Sequence, residues 1–188
     1  MHRIWKKENV LTIPNLLTCI RLLLIPLIVW LYCGKRNYPA AAGVIVLSGI
    51  TDIADGIIAR KFNMVSDLGK ILDPVADKLT QAAMMLCLLS RYEWMLWLFL
   101  FFAVKELSTG ISGLLVIRKK DVVNSAKWFG KLSTVVLDVV MFLLFLFPNI
   151  GTACAKGMIA LCAAVMLLSL VKYLLLHARL LREKDAAS

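Results

Sequence analysis

Four aspartates between positions 52 and 77 are the residues of this chain best suited to chemistry. The segment reads Asp52-Ile-Ala-Asp55-Gly56-Ile-Ile-Ala59-Arg60, eight further residues, then Gly69-Lys-Ile-Leu-Asp73-Pro-Val-Ala-Asp77, with apolar sequence on both sides. A carboxylate at the centre of a bilayer costs about 2.5–3.5 kcal/mol on insertion scales, and intramembrane acids usually mark function. Two carboxylates about 4 Å apart also repel by roughly 4 kcal/mol at an effective dielectric near 20. A cation must therefore hold them together. Oxygen ligands without His or Cys beside them suit a hard divalent cation such as Mg²⁺ or Mn²⁺. Four carboxylates suffice for two ions, and a two-ion site is a common clamp on a phosphate in transfer.

The neighbouring small and basic residues extend that reading. Gly56 and Gly69 remove side chains beside the acids, so a ligand can approach the backbone. Arg60, at the end of its helix, offers a fixed cation to phosphate or a planar donor fork to a base. Acids, small residues and a basic rim together indicate a metal-bound substrate containing a polyphosphate.

Helices must position these groups. With 188 residues, 61% hydrophobic, and a mean hydropathy of +0.81, the composition is that of a polytopic membrane protein. The fold class read from it is all-α, one integral-membrane domain over 1–188. About 20 apolar residues span a bilayer, and six segments qualify, near 16–33, 38–60, 68–90, 94–117, 131–147 and 152–176. Residues 1–13 are expected along the membrane interface and 177–188 as a cytoplasmic tail. The second and third segments form a hairpin around a polar turn at Lys61–Asp67. Asp52 and Asp55 are spaced i, i+3 and Asp73 and Asp77 i, i+4, so each pair shares a helix face. The two helices can thus present all four acids to one space. Pro74 is expected to bend the third helix beside it. The apolar segments themselves are read as holding no base that could pair the acids, which argues against a purely structural polar network.

The net charge of +10 does not indicate nucleic-acid binding, because the basic residues cluster between apolar runs. Arg3, Lys6 and Lys7, then Arg60, Lys61 and Lys70, then Arg118, Lys119, Lys120, Lys127 and Lys131, and finally Lys172, Arg179, Arg182 and Lys184 fall on alternate connections. The positive-inside rule puts both termini and the acidic motif on the cytoplasmic side. The five cysteines, without C-x-x-C spacing, read as small buried hydrophobes. His177 is accounted for by a basic chain end.

Asp52-x-x-Asp55-Gly56-x-x-Ala59-Arg60, eight residues, Gly69-x-x-x-Asp73-x-x-x-Asp77 resembles the signature of the CDP-alcohol phosphotransferases. Ile13-Pro14-Asn15-Leu16-Leu17-Thr18, followed by Arg21 and Pro26, is similar to the start of bacterial phosphatidylglycerophosphate synthases, as is Leu72–Lys78. The resemblance implies CDP-diacylglycerol as donor and two metal ions, Mg²⁺ or Mn²⁺. It implies Asp52, Asp55, Asp73 and Asp77 as metal ligands, with Asp77 also taking the proton from the attacking alcohol. Gly56, Ala59, Arg60 and Gly69 would contact the CDP moiety. It further implies a homodimer in the bacterial cytoplasmic (inner) membrane.

The acceptor alcohol is the open question. Gly130-Lys131-Leu132-Ser133-Thr134 resembles a Gly-Lys-x-Lys-Thr stretch of the phosphatidylglycerophosphate synthases, with Ser133 replacing the second lysine, and Lys105-Glu106 stands where those enzymes have Arg-Glu. Lys105, Lys127 and Lys131 are the candidates to hold the phosphate of glycerol 3-phosphate, and a lysine at Ser133 is expected to leave activity intact or strengthen that hold. A cardiolipin synthase accepting phosphatidylglycerol is the alternative, followed by serine or inositol phosphate acceptors. A divalent-cation carrier would also need intramembrane acids, but not the glycines and Arg60 at their spacing. A catalytically dead scaffold is a further reading, set against every signature position being filled. Asp138, within the fifth segment, has no assigned role.

Overall fold

The computed structural model describes residues 12–62, 69–120 and 128–185. Among them the chain is all-helical: α1 (Ile13–Val29), continuing into a π-helical turn (Trp30–Gly34), α2 (Tyr38–Lys61), α3 (Gly69–Leu89), α4 (Met95–Lys120), α5 (Trp128–Leu146) and α6 (Thr152–Asp185). The first two helices begin on recognisable caps. Thr12 accepts the Asn15 N–H with Pro14 in the first turn, and Asn37 accepts the Ala40 N–H with Pro39 in the first turn. Arg36, at φ 53°, takes the left-handed conformation that turns the chain between the π-helical turn and α2.

Among the described residues five helices are long and apolar enough to cross a membrane: Ile13–Gly34, Tyr38–Ala59, Met95–Gly113, Trp128–Leu146 and Thr152–Ala178. The sixth, α3, has the length but carries Lys70, Asp73, Asp77 and Lys78. Large apolar side chains stand on the outside, among them Leu23 at 72% exposure and Trp97 at 69%. Water would penalise such a surface, whereas lipid solvates it. The chain is a multi-pass membrane protein. Helix α3 continues through Pro74, and α6 runs past position 177, where a tail was expected, to Asp185. The expected interfacial segment and the Lys61–Asp67 turn fall largely outside the described residues.

The helices form two compact units. The first contains α1, the π-helical turn, α2, α3 and the end of α5; the second contains α4, the rest of α5 and α6. Within the first, α1 packs on α2, and Ile28, Tyr32, Ala41, Ala42, Ala76, Met85, Leu88, Leu144 and Phe145 are buried. The Tyr32 ring lies 4.9 Å from that of Tyr38 and 4.1 Å from that of Phe145. Within the second, α4 packs on α6, with Met95, Leu98, Phe102, Ala155, Ile159 and Met166 buried.

Candidate active site

The four aspartates come together in the first unit, and a helix outside their hairpin does it. Arg21, on α1, is 2% exposed. Its Nη2 donates to Asp55 Oδ2 at 2.5 Å, and its Nη1 lies 2.6 Å from Asp52 Oδ1 and 3.0 Å from Asp77 Oδ1. These are lengths of charge-assisted hydrogen bonds. Thr18, one turn earlier on the same face of α1, donates from Oγ1 to Asp73 Oδ1 at 2.6 Å. Every acid of the motif is therefore held by a polar side chain of α1.

A base does lie within the apolar helices, contrary to the sequence expectation. Arg21 interrupts a run that is otherwise uncharged from Ile13 to Gly34, and its partners are 31, 34 and 56 residues away. A lone arginine inside a membrane-length apolar run was the available signal, because such a charge must find a buried counter-charge. Thr18 carried no comparable signal of its own.

The acids differ in their access to the surroundings. The Asp55 side chain is 4% exposed, against 43% for Asp52 and 48% for Asp77. Gly56 follows Asp55 on α2 and is half-buried, as is Ala59, while Gly69 is buried at the start of α3. Arg60 lies in the last turn of α2. The donor set is carboxylate oxygen, which suits a hard divalent cation. Among the described residues no three acidic, His or Cys side chains stand close enough to hold an ion as placed. A guanidinium bridges Asp52, Asp55 and Asp77 in this arrangement. The cluster thus fits a cation in kind and in sign, with its present spacing set by Arg21.

The acceptor candidates belong to the second unit. Lys105 on α4 is 6% exposed and its Nζ lies 2.6 Å from Glu106 Oε1, so its charge is already paired. Lys131 is exposed on α5, and Lys127 lies outside the described residues. Ser133 is 2% exposed. A lysine there would bury a charge, which corrects the expectation that it would help hold an anion. A Cβ on Gly130 would overlap the Tyr173 ring of α6. His177 is buried on α6 with Nδ1 2.7 Å from Ser112 Oγ on α4, so it is a packed residue of a continuing helix rather than part of a basic tail. Asp138 is exposed on α5.

The family model for CDP-alcohol phosphatidyltransferase matches residues 11–175, which span both units. The chain belongs to the CDP-alcohol phosphatidyltransferase family. It is a transferase fold that takes a CDP-linked donor and an alcohol acceptor, and members generally use divalent metal ions. This family member is 33% identical over 163 residues to a cardiolipin synthase (CMP-forming) of Streptomyces coelicolor, covering 84% of this chain and 73% of that protein. It is 30% identical over 168 residues to a probable phosphatidylglycerophosphate synthase of Mycobacterium tuberculosis, covering 86% and 78%. Over 81 residues it is 41% identical to a CDP-diacylglycerol--glycerol-3-phosphate 3-phosphatidyltransferase of Rickettsia typhi, covering 42% of this chain and 46% of that protein.

Proposed function

We propose that this protein transfers the phosphatidyl group of CDP-diacylglycerol to sn-glycerol 3-phosphate, releasing CMP and forming phosphatidylglycerophosphate in phospholipid biosynthesis. The observation that carries the reading is the convergence of Asp52, Asp55 and Asp77 on one cation, with Asp73 tied to the same helix. Asp52, Asp55, Asp73 and Asp77 would hold two divalent cations, Mg²⁺ or Mn²⁺, whose chemistry is to neutralise the donor's diphosphate. Gly56, Ala59, Arg60 and Gly69 bind the CDP moiety. Asp77, the most exposed of the three acids on Arg21, takes the proton of the acceptor hydroxyl. The acceptor oxygen forms a bond to the phosphorus that carries the diacylglycerol, the bond from that phosphorus to the CMP oxygen breaks, and a phosphodiester results. By the motif resemblance, Lys131 is the residue proposed to hold the acceptor's phosphate. The protein works as a homodimer in a bacterial inner membrane, with this site on the cytoplasmic side.

One observation favours a second acceptor, phosphatidylglycerol. Lys105 is buried and paired with Glu106, and Ser133 leaves no second lysine in the α5 motif, which weakens the hold these two motifs offer a free phosphate. The Streptomyces coelicolor relative bears the corresponding name. An acceptor panel decides between them. Purified protein with CDP-diacylglycerol receives glycerol 3-phosphate, phosphatidylglycerol, serine or inositol phosphate, and the lipid product is identified by mass. Phosphatidylglycerophosphate from the first alone supports the main reading; cardiolipin from the second replaces it.

A further inference from the structure

We infer that Arg21 is a resident counter-ion of the aspartate cluster, which a divalent cation must displace to enter. The inference rests on the metal-dependent reading above and adds a residue to it. Three observations carry it. First, the guanidinium binds Asp52, Asp55 and Asp77 at once, from α1, so it is the contact through which acids on α2 and α3 share one positive charge. Second, the guanidinium occupies the carboxylate oxygens that an ion would need. An oxygen ligand sits about 2.0–2.6 Å from Mg²⁺ or Ca²⁺-sized ions. Nη1 itself is 2.6 and 3.0 Å from the oxygens it bridges, so an ion taking those same oxygens would overlap it.

Third, the seat is incomplete. Arg21 Nε is buried without a hydrogen-bond partner, so two of the three guanidinium nitrogens are satisfied and the third is not. A buried donor without an acceptor raises the free energy of the bound arrangement relative to one that releases it. The charges run the same way, since one guanidinium pairs with three carboxylates and the fourth, Asp73, is held by the neutral Thr18 hydroxyl. Arg21 thus keeps the acids assembled without metal, and gives way when a more highly charged ion arrives. It is a positioning residue, acting on the reaction through the carboxylates it holds.

Mn²⁺ binding followed by electron paramagnetic resonance on detergent-purified protein tests this without reference to turnover. Wild type should bind Mn²⁺ and Asp55→Asn should lose most of that binding. Arg21→Gln, which removes the competing charge, should bind Mn²⁺ about tenfold more tightly than wild type or better. Its metal-free form should unfold at a lower temperature than wild type, with a larger upward shift on adding Mn²⁺. Arg21→Lys keeps a charge but cannot bridge three acids, and should bind Mn²⁺ with an affinity between the other two. If Arg21→Gln does not fold, Arg21→Lys decides. Equal or weaker Mn²⁺ binding in the folded Arg21 variants overturns the exchange and makes the arginine a fixed scaffold for the ligands. No Mn²⁺ binding in wild type, or binding unchanged in Asp55→Asn, overturns the metal site itself and the exchange with it.

Discussion

Thr18 Oγ1 donates to Asp73 Oδ1 at 2.6 Å, and this contact ties α1 to α3 across 55 residues of sequence. The same hydroxyl lies 3.1 Å from Pro14 O, but it has one proton to give, and the shorter distance assigns it to the carboxylate. With Arg21 one turn further on, a single face of α1 reaches all four acids of the motif.

Thr18→Val keeps the shape of that contact and removes the donor. An outer-shell hydrogen bond to a metal-binding carboxylate typically supports 10–100-fold in affinity or activity, so a loss of about that size is expected. It should show as a higher metal concentration for half-maximal CMP release. An unchanged metal dependence would make the bond merely structural.

Asp77 and Asp55 should fail differently. Asp77→Asn should lower kcat by about 10²–10⁴-fold, with the KM for CDP-diacylglycerol little altered, because it loses a proton acceptor at a half-exposed position. Asp55→Asn removes a 4% exposed carboxylate paired to a 2% exposed arginine. It should lower thermal stability as well as rate, by up to about 3–5 kcal/mol if Arg21 cannot re-pair. Parallel donor titrations and melting curves separate the two; identical profiles would remove the distinction between base and ligand.

Lys131→Ala should raise the acceptor KM about 10–100-fold if it holds the phosphate of glycerol 3-phosphate, since a charge-assisted hydrogen bond is worth roughly 1.5–3 kcal/mol. The donor KM should stay near wild type. Lys105→Ala is expected to lower the melting temperature, because it removes a buried side chain and its ion pair with Glu106. A silent Lys131→Ala, together with better turnover of phosphatidylglycerol, would transfer the assignment to cardiolipin synthesis.

Gly130 offers a structural explanation for part of the α5 motif. A methyl group there meets the Tyr173 ring at closer than van der Waals range. Gly130→Ala should therefore cost about 1–3 kcal/mol of stability through overpacking, and Tyr173→Phe should recover part of it by removing the nearest atom. The double mutant's melting temperature checks this. An additive pair of losses would place the strain elsewhere.

The helices and the acid spacing were legible because both are local. Asp52 and Asp55, or Asp73 and Asp77, fall on one face by helical period alone, and apolar length marks most spans. Helix α3 is the exception: it has the length, but the charges that make it interesting also lower its hydropathy. Arg21 stood out as a lone charge in an apolar run, but its partners, 31 to 56 residues away, are encoded by no periodicity. His177 was misjudged for a related reason: its burial follows from α6 continuing to Asp185 and packing on α4. The burial of Lys105 and Ser133 likewise comes from packing that a motif comparison does not contain.

Phosphatidyl transfer from a CDP-linked lipid at the aspartate cluster is the reaction to test. The direct measurement is CMP release by the purified protein given CDP-diacylglycerol and glycerol 3-phosphate, with and without Mg²⁺ or Mn²⁺. CMP should appear in proportion to lipid product only when the divalent cation is present, vanish in excess EDTA, and be lost in Asp77→Asn. Full CMP release in EDTA would refute the metal-bound cluster, and no CMP under any condition, with divalent cations crossing vesicles that contain the protein, would make it a carrier.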